Sequence, residues 1–193
     1  MTGASGAAFT RTMLRMLQAD ARVAQVQFVV SDHALRVMTE ELNLSGRSGI
    51  LQTLAGEDTS KLTLLRNDDV GASIASGSYP SDGMVVLPCS MGTLASIANG
   101  LAARLIDRAA DVCLKERRPL ILCVRETPLN RIHLRNMTLA AEAGATIFPV
   151  IPALYFRPTS VDEMVTQFCC RVLAHVNLPQ PEAYRWKADT AAS

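Results

Sequence analysis

Leu120-Ile121-Leu122-Cys123-Val124-Arg125-Glu126-Thr127-Pro128 (LILCVRETP) is the stretch on which the fold turns. An unbroken apolar run closed by a charge pair and a proline reads as a short strand buried on both faces. Such strands belong to parallel sheets covered by helices on each side. Working outward, Val23–Val30 (VAQVQFVV), Met84–Pro88 (MVVLP) and Thr146–Val150 (TIFPV) carry the same signature. Helical patterns fill the intervals at Ala7–Gln18, His33–Leu42, Leu101–Glu116, Asn130–Ala143 and Val161–Val176. Strands alternating with helices predict right-handed crossovers and an α/β fold: a doubly wound, Rossmann-like or flavodoxin-like parallel sheet in a single domain. Ligands of such sheets bind beyond the carboxyl ends of the strands, so the chemistry is expected just after each one.

Composition narrows the function classes. At 193 residues, 49% apolar and 19% charged, the chain suits one globular domain over residues 1–178, with a polar tail at 179–193. A net charge of +1 leaves no electrostatic footprint for nucleic acid or a membrane surface. The five cysteines are odd in number, form no C-x-x-C pair and lie largely in apolar runs, which points to reduced thiols and a cytoplasmic location. His33, His133 and His175 are scattered, so no metal site is expected. No apolar run reaches the ~18 residues of a membrane span, and no signal peptide opens the sequence. Ser45–Ser60, rich in Gly, Ser and Asp, is expected to be a mobile surface connection.

Thr2-Gly3-Ala4-Ser5-Gly6-Ala7 has the character of a strand-to-helix ligand loop, yet only Met1 precedes it. The expectation is a first strand lying upstream, either because an internal methionine serves as the start or because a segment is omitted from the numbering. The loop's small residues let a ligand approach the backbone, and amides at the following helix N-terminus favour an anion or a polar ring edge. A tight turn with a serine cap explains them equally well. The dinucleotide fingerprint G-x-G-x-x-G is absent. Ser31 follows the second predicted strand position. Pro88-Cys89-Ser90-Met91-Gly92-Thr93-Leu94 follows another and places two hydroxyls and several amides at a strand end. Ala72–Ser78 is small enough to frame a ligand or to be only a loop. Lys115-Glu116-Arg117-Arg118 closes a helix, where cations ordinarily complement the dipole. Arg125-Glu126 differs, because charge at the end of a buried strand is costly unless it serves a ligand or partner.

Together, Thr2–Ala7, Pro88–Leu94, Arg108–Pro128 (RAADVCLKERRPLILCVRETP), His133–Met137 and Trp186 resemble the UbiX-type flavin prenyltransferases over nearly the whole chain. The resemblance implies reduced FMN and dimethylallyl phosphate as ligands, no metal, prenylated FMN as product, a UbiD-type decarboxylase as its recipient, and a homo-oligomer, a dodecamer, with flavin near subunit junctions. It implies flavin contacts at Gly3, Ala4, Ser5, Ser31, Ser90, Met91, Gly92, Thr93 and Arg125, with Ser5 near the reactive ring nitrogen. It implies a cationic clamp on the prenyl phosphate from Lys115, Arg125, Tyr155 and Arg171, proton handling by Glu41 and Glu126, and site lining by Arg108 and Trp186. Phe156 departs from the histidine of many members, and Gly92 from the lysine of some. Two alternatives remain at this stage. One is a flavoprotein like the FMN-dependent cysteine decarboxylases, whose P-x-M-N signature is absent here; the other is a flavin-binding subunit without catalysis.

Overall fold

Leu120–Val124 is the central strand of the three-stranded block and is buried along its whole length. The computed structural model describes residues 1–44 and 46–186. In chain order it contains α1 (Ala7–Ala19), β1 (Val26–Val30), α2 (Asp32–Leu42), α3 (Ile50–Ala55), β2 (Leu62–Arg66), β3 (Met84–Cys89), α4 (Met91–Ala98), α5 (Leu105–Lys115), β4 (Leu120–Val124), α6 (Arg131–Glu142), β5 (Thr146–Ile147) and α7 (Val161–Ala174). Strand pairing is parallel throughout: β1 with β2, β3 with β4, and β4 with β5. This is the α/β sheet that the alternation predicts.

β4 displays the doubly wound architecture residue by residue. Leu120, Leu122 and Val124 enter a core shared with α4 and α5, while Ile121 and Cys123 enter a second core with α7. Alternate side chains of a strand point to opposite faces, and both faces here are dry. A third core joins α1, α2 and α3 to β1 and β2.

Several local readings need correction, among them Met91–Ala98, which forms α4 although no helix was expected there. Leu62–Arg66 forms β2, although the sequence reading passed over it; with exposed Thr63 and Arg66 it lacks a buried run. Ser45–Ser60, expected to be a mobile connection, contains α3, which buries Ile50 and Leu54. The first predicted strand is shorter, starting at Val26. The Thr146–Val150 reading extends past β5 for a clear reason. Phe148 and Val150 still donate backbone hydrogen bonds to Leu122 and Val124, so the chain keeps to the edge of β4 beyond Ile147.

The sheet has a seam. β1 and β3 do not pair directly, and the strands fall into a two-stranded and a three-stranded block. Met1 and Thr2 bridge them. The Met1 amino group donates to Val29 O (2.9 Å), Ser31 N–H donates to Met1 O (3.2 Å), and Thr2 N–H donates to Pro88 O (3.1 Å). Along the β3 side, the Thr10 hydroxyl of α1 donates to Leu87 O at 2.7 Å. A helix side chain thus satisfies a carbonyl that a neighbouring strand would ordinarily take.

Candidate active site

Four loops meet at the carboxyl end of the sheet. Gly3–Gly6 leads into α1, with Gly3 and Ser5 exposed and Ala4 buried. Gly6 adopts φ +131°, which L side chains rarely reach, and a Cβ at Gly3 would collide with the Cβ of His33. Both glycines are therefore required by the loop itself. Ser31 caps α2, accepting from Ala34 N–H at 3.2 Å. Ser90 caps α4, accepting from Thr93 N–H (3.4 Å) and donating to the Thr93 hydroxyl (3.2 Å). Both serines thus make the plain helix caps their sequence context allows. Met91 and Gly92 open α4, where first-turn amides lack intrahelical acceptors. Space around Gly92 is open, with nothing within 4 Å of a built Cβ.

Glu41, in the last turn of α2, reaches this loop. Its carboxylate accepts from Gly6 N–H (3.1 Å to each oxygen) and Ala7 N–H (2.7 Å), so it caps α1 from outside. Arg125 and Glu126 emerge directly beyond β4 and are exposed. The Arg125 backbone donates to Cys89 O at 3.1 Å, which sets it beside the Ser90 loop. Glu126 accepts from Thr127 N–H at 3.0 Å. Among the described residues, neither Arg125 nor Glu126 forms an ion pair.

Lys115 lies elsewhere. It ends α5, ahead of β4, whereas Arg125 follows β4; a five-residue strand separates their levels by roughly 16 Å. Its ammonium pairs with Glu116 Oε1 at 2.5 Å, and both groups lie against Gly77, where a Cβ would collide with them. Arg118 fastens the same loop, donating to the carbonyls of Gly77 (2.7 Å) and Tyr79 (2.9 Å). Arg108 donates to Ala75 O (3.1 Å) and pairs with Asp111 (2.7 Å). Gly77 was not singled out from sequence, although the small-residue run Ala72–Ser78 was its visible signal.

Tyr155 and Arg171 share a third location, an open pocket of about 420 Å³ along the β5 edge. Phe148, Phe156 and Phe168 supply apolar walls, and Gln167, His175 and Tyr184 also line it. Trp186 sets its ring edge-on to Tyr155, with centroids 5.3 Å apart. A smaller polar cavity of about 250 Å³ lies between Asp32, Arg47, Arg66, Asn67, Asp68 and Arg104. Two of its guanidinium groups are already committed, Arg47 to Asp32 and Arg66 to Asp68.

The thiols are ill suited to nucleophilic chemistry. All five cysteines are buried, and burial pushes Cys89 and Cys169 up to about 12 and Cys113 and Cys170 up to about 11. Among the described residues, no cluster of three or more His, Cys, Asp and Glu could hold a metal ion, and no helix is long and apolar enough to cross a membrane. The carboxyl end thus presents a backbone loop with exposed Gly3 and Ser5, helix-terminal amides, hydroxyls and the Arg125 guanidinium, which forms no ion pair among the described residues. That donor set suits a planar, polar-edged, anionic ligand.

Comparison with known proteins agrees with this geometry. The model of the Flavoprotein family matches residues 1–168. The flavin prenyltransferase UbiX of Salmonella typhimurium is 44% identical over 191 residues, covering 97% of this chain and 95% of its own. AnUbiX, solved with FMN and dimethylallyl pyrophosphate, superposes with a TM-score of 0.85 at 39% identity, over 96% of this chain and 94% of that one. A dodecameric FMN-dependent UbiX-like decarboxylase from Escherichia coli gives 0.84 at 38% identity, over 96% and 99%. Sequence, fold and the chemistry of the strand ends therefore place this chain in the UbiX-type flavin prenyltransferase family.

Proposed function

We propose that this protein transfers the dimethylallyl group of dimethylallyl phosphate to reduced FMN, making prenylated FMN. The observation that carries the reading is Arg125-Glu126, a cation and a carboxylate without an ion pair among the described residues, held at the end of a fully buried strand beside the Ser90 loop. FMN would lie on Gly3, Ala4 and Ser5, with Ser31, Ser90, Met91, Gly92, Thr93 and Arg125 around it; when bound and reduced, it supplies the nucleophilic ring positions. Lys115, Arg125, Tyr155 and Arg171 neutralise the departing phosphate by charge-assisted hydrogen bonds, a task that needs no metal when enough cations converge. Glu126 or Glu41 takes the ring proton. Glu41 also holds the flavin loop through Gly6 and Ala7. Arg108 and Trp186 line the site.

One chain cannot bring these groups together, because Lys115 and Arg125 stand at opposite ends of β4. The site is therefore assembled between copies of the chain, in a homo-oligomer that we take to be a dodecamer like the Escherichia coli relative. Exposed Leu101, Ile132, Leu134, Ile151 and Leu154 offer apolar surface for that assembly. The product would go to a UbiD-type decarboxylase in the cytoplasm. The test is anaerobic incubation of the reduced, FMN-loaded protein with dimethylallyl phosphate, followed by mass spectrometry of the flavin. A flavin heavier by one five-carbon prenyl unit is expected, and unchanged FMN would overturn the reading.

A further inference from the structure

Tyr155 sits in a loop, is 49% exposed, and has no hydrogen bond from its hydroxyl among the described residues. Its ring touches three others: Phe156 (6.3 Å between centroids), Tyr184 (5.5 Å) and Trp186 (5.3 Å). Two of those three belong to the C-terminal segment, so its orientation depends on where that segment lies. Upstream, the segment is tied down by Arg22, which donates to Pro179 O (3.0 Å), and by Gln180, which donates to Asp20 Oδ2 (3.0 Å). Nearer the aromatic rings, a side chain of α7 holds it by two hydrogen bonds. Gln167 of α7 donates from Nε2 to Glu182 O (3.0 Å) and accepts at Oε1 from Tyr184 N–H (2.7 Å). Gln167 stands one helical turn before Arg171, so both face the same pocket.

We infer that Gln167 is a positioning residue for prenyl transfer: by clamping the C-terminal segment it holds Tyr184 and Trp186 against Tyr155 and so fixes Tyr155 for the prenyl phosphate. The inference rests on the functional reading above. A carboxamide is suited to this task because it presents one donor and one acceptor side by side, matching the carbonyl and the amide of the segment. Neither leucine nor glutamate does the same. Leucine offers no hydrogen bond, and glutamate keeps only the acceptor for Tyr184.

The sole tryptophan of the chain reports on the clamp directly. In Gln167→Leu, Trp186 fluorescence should become more accessible to acrylamide, and KM for dimethylallyl phosphate should rise about tenfold, as expected for two lost hydrogen bonds. FMN affinity and melting temperature should hold, because the flavin loops lie at the other strand ends. Gln167→Glu should fall between Gln167→Leu and wild type. Tyr184→Ala, which leaves α7 untouched, should give the same rise in KM. A freed Trp186 with unchanged KM would overturn the inference. So would a parallel loss of FMN affinity, melting temperature and KM, because that pattern marks a merely structural residue. Wild-type protein that makes no prenylated FMN would overturn the functional reading itself, whereas active wild type with unaltered variants would overturn the clamp alone.

Discussion

Two dipeptides of the same chemistry bracket β4 and meet opposite fates. Lys115-Glu116, before the strand, closes into an ion pair at 2.5 Å; Arg125-Glu126, after it, does not pair at all. Adjacency in sequence is identical, so adjacency does not decide. At the amino end, a loose helix terminus and the small Gly77 let the two side chains fold onto each other and onto the 76–78 loop. At the carboxyl end, the backbone of Arg125 is committed to Cys89, that of Thr127 to Glu126, and the two charges face outward. The difference teaches that an uncommitted charge at the ligand end of a sheet carries more functional information than a satisfied one at the other end.

The largest effect that would sharpen this contrast is expected from Glu126→Gln. The variant keeps the side-chain shape and should bind FMN, but prenylated flavin should form roughly 10²–10⁴-fold more slowly if Glu126 handles the proton. Because Glu126 has no ion-pair partner among the described residues, its melting temperature should stay near wild type. A destabilised variant with wild-type turnover per flavin-loaded site would make Glu126 structural after all.

Arg125→Ala should come next, weakening both FMN and dimethylallyl phosphate by about 10- to 100-fold, the range of a charge-assisted hydrogen bond left unmade. Separate titrations of the two ligands would check it, and loss of only one would halve the role assigned to Arg125.

Lys115→Ala should raise KM for dimethylallyl phosphate by about tenfold while leaving FMN binding alone. The Lys115–Glu116 pair is solvent-exposed and screened, so little melting change is expected. Mixing is the sharper experiment. Oligomers reassembled from Lys115→Ala and Arg125→Ala chains should recover part of the activity, because some sites then draw intact residues from different copies. No recovery would show that one chain supplies both groups, and the contrast between the two ends of β4 would lose its functional meaning.

The smallest effect is a titration. The Lys115 ammonium holds the Glu116 carboxyl below the ordinary glutamate range. A folded pKa below the unfolded one means that the pair's small contribution is complete above the ordinary value and fades as pH falls through the folded one. Carboxyl-detected NMR should place Glu116 on the acid side of a model glutamate. A Glu116 that titrates at the model value would dissolve the ion pair on which the comparison rests.

The sequence by itself determined the features that local windows carry. Five-residue apolar runs with turn signals located β3 and β4, and 3.6-residue periodicity located the five longer helices. It also put Arg125-Glu126 at a ligand-facing strand end, since that follows from strand direction alone. Shorter or half-exposed pieces escaped it: α3 and α4 have too few turns to show a clear period, and β2 is half-exposed, with Thr63 and Arg66 in solvent. Tertiary structure alone decided that Lys115 meets Gly77 rather than Arg125, that Glu41 caps α1, that Met1 and Thr2 bridge the seam, and that Gln167 fastens Tyr184 near Tyr155. The reason is physical. Each of these joins residues brought together only when separate elements pack, and no pattern of neighbours along the chain encodes which elements those will be.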